Sequence, residues 1–394
     1  MRFKNEIRIL WKVYLAEMIR GIGAFIVQFM VIFLQGKSLN LMQIGILLGS
    51  VSLTNFFMEI PTGVIADKYG RKFSAMLGFI IQYLSYFLMI FTNSYLMLIL
   101  LFILSGIGFT LTSGAYDAWI YEYLKYNKRE SLMHNFYSRK LSFSYLGLII
   151  SGALGGYLAS FLELYWLIIF DTLLGAVFML LLFLLPDPPI LKEKSHVGFN
   201  VFFNKTKEGF NLLLVNKSLL LLTIASMFFT VAVGAKELLS QPVYIALGTP
   251  LSYVGYIASI SGLVIAIIPN LIFGFSKKYP KQIIILFAIV EFIAIFGLLF
   301  VQNYLLFALF MIISFLCGAV ITPISDSIFQ HNSKTKVRAT SMSILNMMIS
   351  MVYFIVFLVF GILADVYGAK IILGLSALSI IPSIICYFIL YKGK

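Results

Sequence analysis

Glu59-Ile-Pro-Thr-Gly63-Val-Ile-Ala-Asp67-Lys-Tyr-Gly70-Arg-Lys72 separates two apolar runs, one reaching back to Leu41 and one opening at Phe73. A charged turn between two runs of membrane length must sit at a membrane surface, because lipid offers its polar backbone no partner. Gly63 is expected to let a neighbouring helix approach closely, and Gly70 to supply a backbone angle that side chains resist. Asp67 suits a helix N-terminus, where the dipole favours an anion. Lys68, Arg71 and Lys72 put three cations in one short turn, which marks the cytoplasmic side.

Composition widens that reading to the whole chain. The 394 residues are 61% hydrophobic and 11% charged, against about 25% charged in a soluble domain. This is an integral membrane protein. Apolar runs of spanning length fall at 11–35, 41–66, 73–93, 95–116, 141–161 and 165–186, then at 217–239, 251–274, 282–301, 304–325, 340–363 and 371–391. Segments this long mean helices, since barrel strands are short and alternating. The expected fold is all-α with twelve transmembrane helices. No cleavage-type small-residue site follows the first run, so it is expected to remain as a helix.

The net charge of +13 raises nucleic acid as a partner. The distribution excludes it, because the cations gather in short loops between spans, where membrane lipids are the neighbours. With the N-terminus inside, 25 of the 29 Lys and Arg fall on inner segments, and only Arg20, Lys37, Lys236 and Lys370 lie elsewhere. Both termini are therefore expected in the cytoplasm. Cys317 and Cys386 fall inside apolar runs as packed thiols, with no disulfide framework.

Pro186-Asp187-Pro188-Pro189 ends the sixth run and opens the longest polar interruption. The chain thus divides into a first six-helix bundle over 1–186, a cytoplasmic loop over 187–216 and a second bundle over 217–394. The halves share weak repeats. Gln43-Ile44-Gly45 answers Tyr253-Val254-Gly255, and Lys68-Tyr69-Gly70-Arg71 answers Lys278-Tyr279-Pro280-Lys281, both at an offset of 210. Ser113–Asp117 answers Thr322–Asp326 at 209. Parallel repeats place a transport site between halves near mid-membrane. In the second turn Lys277 stands where Asp67 would be, so the gating contact is expected in the first half.

Gly63-x-x-x-Asp67-Lys68-x-Gly70-Arg71-Lys72 resembles the loop signature of the major facilitator superfamily, found between its second and third helices. The resemblance implies a transporter of two pseudo-symmetric bundles that works by alternating access. It also implies that Asp117, at the inner end of the fourth span, completes a charge network with Arg71 and Asp67. The alternative for Asp117 is a solvated helix-end carboxylate. Gly152-Ala-Leu-Gly155-Gly156, with Gly147 before it, is similar to a fifth-helix motif of drug/proton antiporters, with Ala153 in place of its proline. Simple close packing explains the same glycines. Lys336-Val-Arg338-Ala-Thr340 looks like a segment of bacterial efflux-type members. There Thr340 is expected to cap a helix whose N-terminus receives Asp67.

Several residues are candidates for chemistry. Glu17, Arg20, Ala24 and Gln28 follow at helical spacing along one face of the first span. An ionisable pair inside a span is costly and faces a cavity or a partner. Glu17 leads as a proton or cationic-substrate site, with Arg20 and Gln28 beside it; a structural i, i+3 pair is the competing reading. Glu291 and Asp171 lie within later spans and must turn inward or find partners; Glu291 is a further candidate for coupling, with a hydrogen-bonded structural role as the competing reading. Lys236 and Glu237 are expected to pair locally, with Glu237 a second candidate for coupling. His134, His196 and His331 lie apart, without metal-ligand spacing. No phosphate-binding loop is present, so no enzyme activity, metal or cofactor is expected.

The reading is a secondary active transporter of a bacterial cytoplasmic membrane, acting as a monomer. Its task is proton-coupled efflux of small hydrophobic or cationic compounds. The alternatives are uptake of a sugar or peptide, or a non-transporting sensor or lipid-handling protein.

Overall fold

The structure is a computed structural model that describes residues 2–187, 210, 213, 215–333 and 338–392. The first part of the chain forms α1 (Arg2–Gly23), α2 (Met30–Gly36), α3 (Leu41–Tyr69), α4 (Arg71–Leu88), α5 (Tyr95–Thr112), α6 (Ala115–Tyr126), α7 (Met133–Ala159) and α8 (Leu164–Phe183). The second part forms α9 (Lys217–Ala246), α10 (Leu251–Lys278), α11 (Pro280–Gly297), α12 (Tyr304–Asn332), α13 (Arg338–Tyr367), α14 (Ala369–Leu375) and α15 (Ile380–Lys392). Helices satisfy their own backbone, which is what a lipid solvent demands.

Among the described residues, eleven helices are long and apolar enough to cross a membrane. A twelfth span exists if Ile9–Gln28 and Met30–Gly36, bent by 42°, are taken together. The break follows from Gly21 and Gly23: α1 stops at Gly23, and Ile26–Gln28 is a 3-10 turn. The continuous face expected from Glu17 to Gln28 is therefore interrupted, and Gln28 does not continue the line of Glu17 and Arg20. The fourth span also differs from expectation. It runs from Tyr95 to Tyr126 and is broken at Ser113 and Gly114.

Two compact units form. The first comprises Met1–Phe33, Phe57–His196 and Pro250–Leu263. Its core packs Tyr14, Phe79, Tyr116, Trp119, Phe136 and Phe178. The second comprises Leu34–Phe56, Val197–Thr249 and Val264–Lys394, around Leu222, Phe229, Ile284, Ile321, Phe329 and Tyr387. Each unit takes a segment from the other half of the sequence, so α3 and α10 are each divided. Both carry a proline at the division. Pro61 leaves the carbonyl of Phe57 without its helical donor, and Pro269 does the same to Ile265.

Most of the linker expected over 187–216 lies outside the described residues (188–209, 211, 212 and 214), as do Lys336 and the side chains of Arg338 and Thr340.

Candidate functional site

The first unit holds a cavity of about 360 Å³. Its wall is built from Arg20, Gly21, Ala24 and Val27, then Phe79, Gln82, Tyr83 and Tyr86 on α4, Leu141, Ser144, Tyr145 and Leu148 on α7, and Asp171 on α8. Glycines make the wall possible. A Cβ at Gly175 would sit 2.4 Å from the Tyr83 ring, and one at Gly21 would sit 2.5 Å from the Ser144 carbonyl oxygen. At Gly23 it would press on Asp171 Oδ1 at 3.3 Å. Larger residues there would push α4, α7 or α8 away.

Charge in this wall is unevenly matched. Arg20 Nη2 and Nε donate to Glu17 Oε2 at 2.7 and 3.2 Å. Arg20 is 37% exposed, whereas Glu17 is fully buried behind it. Glu17 also sits beside the Tyr116 hydroxyl. Arg20 is thus answered from below while its outer face lines the cavity and its guanidinium lies 5.8 Å from the Phe178 ring centre. Asp171, buried on the opposite wall, has no hydrogen bond or ion pair among the described residues; its electrostatic neighbours are Tyr83 and Tyr86. Arg20 and Asp171 both line the cavity, and Glu17 lies behind Arg20. Gln82 Nε2 donates to Thr112 Oγ1 at 3.3 Å. Gln28 does not line the cavity, and both polar atoms of its amide are buried without a hydrogen bond among the described residues.

The second unit holds a different centre. Lys236 Nζ donates to Glu291 Oε1 at 2.7 Å and to Ser314 Oγ at 2.8 Å, and Ser314 Oγ donates to Glu291 Oε1 at 3.0 Å. Lys236 is 2% exposed and Glu291 0%. The local Lys236–Glu237 pair expected from the sequence does not form, because consecutive residues project about 100° apart on a helix. Glu237 instead accepts from the Tyr353 hydroxyl at 3.3 Å.

The charged turn after α3 is also arranged differently from expectation. Arg71 Nε pairs with Glu122 at 3.2 Å, and Asp117 pairs with Lys140 on α7. The break at Gly114 restarts the helix, so Asp117 falls in the first turn of α6 and faces α7. Glu122, five residues on, comes round by about 140° to meet Arg71. Lys72 Nζ donates to the Phe183 and Leu185 carbonyls at 3.2 and 2.7 Å, closing the end of α8. Lys68 lies over the Tyr69 ring. Gly70 has φ 101°, the angle only glycine adopts readily. Asp67 is exposed. At Gly63 a Cβ would meet no atom of the described residues within 4 Å.

The fifth-span glycines do sit at close approaches. A Cβ at Gly147 would meet Met18 O of α1 at 2.3 Å, and one at Gly155 would meet the Phe25 ring at 3.2 Å. Cβ atoms at Gly152 and Gly156 would meet Ser259 N and Ser252 O of α10 at 2.6 and 2.4 Å. No group of three metal-ligating side chains gathers among the described residues.

Sequence reasoning placed Asp171 in a span but did not join it to Gln82, Tyr83, Tyr86 and Tyr145. The signal available was spacing: Gln82, Tyr83 and Tyr86 share one face of α4 at i, i+1 and i+4.

Comparison with known proteins gives this architecture its family. Uncharacterized MFS-type transporter YxaM of Bacillus subtilis (strain 168) is 28% identical over 258 residues, spanning 64% of this chain and 62% of YxaM, less than two thirds of its length. Uncharacterized MFS-type transporter MJ1560 of Methanocaldococcus jannaschii is 24% identical over 98% of each chain. Among solved structures, the nucleoside transporter NupG superposes with a TM-score of 0.79 at 18% identity, over 98% of this chain and 100% of that one. A D-xylose-proton symporter superposes with a TM-score of 0.74 at 13% identity, over 98% of each. At such identities the likeness is one of fold. The model of the Major Facilitator Superfamily matches residues 13–351, and the chain belongs to that superfamily of membrane transporters.

Proposed function

We propose that this transporter works by alternating access and exchanges small organic cations for protons, in the direction of export. The observation that carries the reading is Asp171: a buried carboxylate without an ion-pair partner among the described residues, in a cavity walled by Phe79, Tyr83, Tyr86 and Tyr145. An acid held inside a span is expensive unless it works on something that arrives. Aromatic faces attract an organic cation by about 0.5–2 kcal/mol each, and the carboxylate supplies the opposite charge. Arg20 does not cancel that attraction, since Glu17 already answers it.

Exchange follows from sharing one anion. Asp171 is satisfied either by a proton or by the substrate cation, and each displaces the other. Glu17 orients Arg20 and answers its charge. The two six-helix halves joined through residues 187–216, cytoplasmic termini, a monomer and a bacterial cytoplasmic membrane complete the reading. The cation distribution supports the orientation.

The test is accumulation of ethidium in cells making the wild type or Asp171→Asn, with and without a protonophore. Lower accumulation by the wild type, abolished by the protonophore and absent in Asp171→Asn, is expected. Raised accumulation by the wild type would reverse the direction and favour uptake.

A further inference from the structure

The turn at Gly63–Lys72 has a fuller copy than the one at Lys278. Gly361-Ile-Leu-Ala-Asp365-Val-Tyr-Gly368-Ala-Lys370 repeats it at an offset of 298, keeping the glycines, alanine, aspartate, tyrosine and final lysine. The backbone repeats as well. Gly70 stands at φ 101°, ψ 147° before α4, and Gly368 at φ 92°, ψ 139° before α14. Their N–H groups donate to Ala66 O at 3.0 Å and to Ala364 O at 2.9 Å.

In the second copy the aspartate itself is engaged. Asp365 accepts from Leu41 N at 2.9 Å through Oδ1 and from Met42 N at 2.8 Å through Oδ2. These are the first two orphan donors of α3. The third is closed locally by a capping box: Gln43 N donates to Asn40 Oδ1 at 2.8 Å, and Asn40 N to Gln43 Oε1 at 3.1 Å. The N-terminus of α3 is thus complete only with Asp365 in place. The backbones touch beneath it. A Cβ at Gly361 would lie 2.6 Å from Leu41 O, and one at Gly45 would lie 2.1 Å from Phe357 O. At Gly63 the same atom would meet nothing within 4 Å among the described residues.

We infer that Asp365 is a latch of the transport cycle, closing the mouth of the path at the Leu41 end of α3 by capping that helix, and releasing it when that mouth opens. The latch joins a helix of the first sequence half to one of the second, which is why residues 34–56 belong to the second unit. Farther along, α3 carries Pro61, where the helix yields most easily. The copy at Asp365 lacks the cations of the first, with Val366 and Ala369 at the places of Lys68 and Arg71. Its hold is therefore an anion on a helix dipole, with two charge-assisted bonds. The inference rests on alternating access and goes beyond the exchange reading, since it concerns a residue outside the cavity.

The experiment uses the full chain with Cys317 and Cys386 replaced by Ser and a single reporter, Ser52→Cys. Ser52 is buried on α3, about 16 Å beyond Leu41. Membrane-impermeant maleimide is applied to each face separately. Asp365→Asn is expected to raise labelling from the Asp365 face about tenfold, the effect of losing a charged cap, and to lower it from the other face. Asp365→Glu keeps labelling near the parent. Gly361→Ala, which prises the seam without touching the carboxylate, gives the same one-sided rise even where Asp365→Asn folds poorly. Labelling unchanged by both, or raised equally from both faces, overturns the latch. Failure of alternating access itself looks different: the reporter would label from both faces at once with Asp365 intact.

Discussion

Both units set a basic residue beside a buried acid, and they use the pair oppositely. In the first, Arg20 keeps one side open to a cavity and Asp171 faces the same space without an ion pair. In the second, Lys236, Ser314 and Oε1 of Glu291 bond one another at 2.7–3.0 Å, buried and away from any described cavity, and Oε2 of Glu291 has no hydrogen bond among the described residues. Residue type therefore does not distinguish a working charge from a structural one. What distinguishes them is whether the partners are supplied by the fold or left to be supplied from outside. A closed pair is a brace, and removing half of it strands a charge.

The largest expected effect tests the brace. Lys236→Met should destabilise the protein by about 3–5 kcal/mol, because Glu291 is left buried without a countercharge, held only by the Ser314 hydroxyl. Lys236→Met combined with Glu291→Leu should recover most of the loss. Thermal unfolding in detergent checks both, and a single variant as stable as the wild type would remove the contrast between the centres.

Next comes Glu17→Gln. It weakens the bond to Arg20, for about 1–2 kcal/mol of stability, and removes the charge that answers Arg20. Binding of tetraphenylphosphonium should fall at least tenfold while folding survives. Unaltered binding would mean that Arg20 and Glu17 do not face the substrate. The smallest effect is expected at Arg71→Ala. Its pair with Glu122 is part-exposed, so stability should change by about 1 kcal/mol or less. A larger loss would mark the pair as a brace of the second kind.

The membrane class and the helical spans were legible from apolar length, and the signature turn from its glycines and charges. Gly70 adopts the angle its sequence calls for. Side-chain partners were less legible, for geometric reasons. Lys236 and Glu237 are neighbours in sequence but point to different helices, and the break at Gly114 moved the partner of Arg71 from Asp117 to Glu122. Gly21 and Gly23 ended the face that was to carry Gln28. The cavity needed four segments brought together, which no local periodicity encodes. The copy at Gly361–Lys370 was present in the letters, but its offset of 298 differs from the 210 that relates the other repeats.

The central claim is that a proton and an organic cation compete for Asp171, and its most direct measurement is tetraphenylphosphonium binding to purified protein across pH. The wild type should bind more weakly as pH falls, since a protonated carboxyl no longer attracts the cation. Asp171→Asn should bind weakly at every pH, with a flat profile and thermal stability close to the wild type. Binding by Asp171→Asn with wild-type affinity and wild-type pH dependence would contradict the claim.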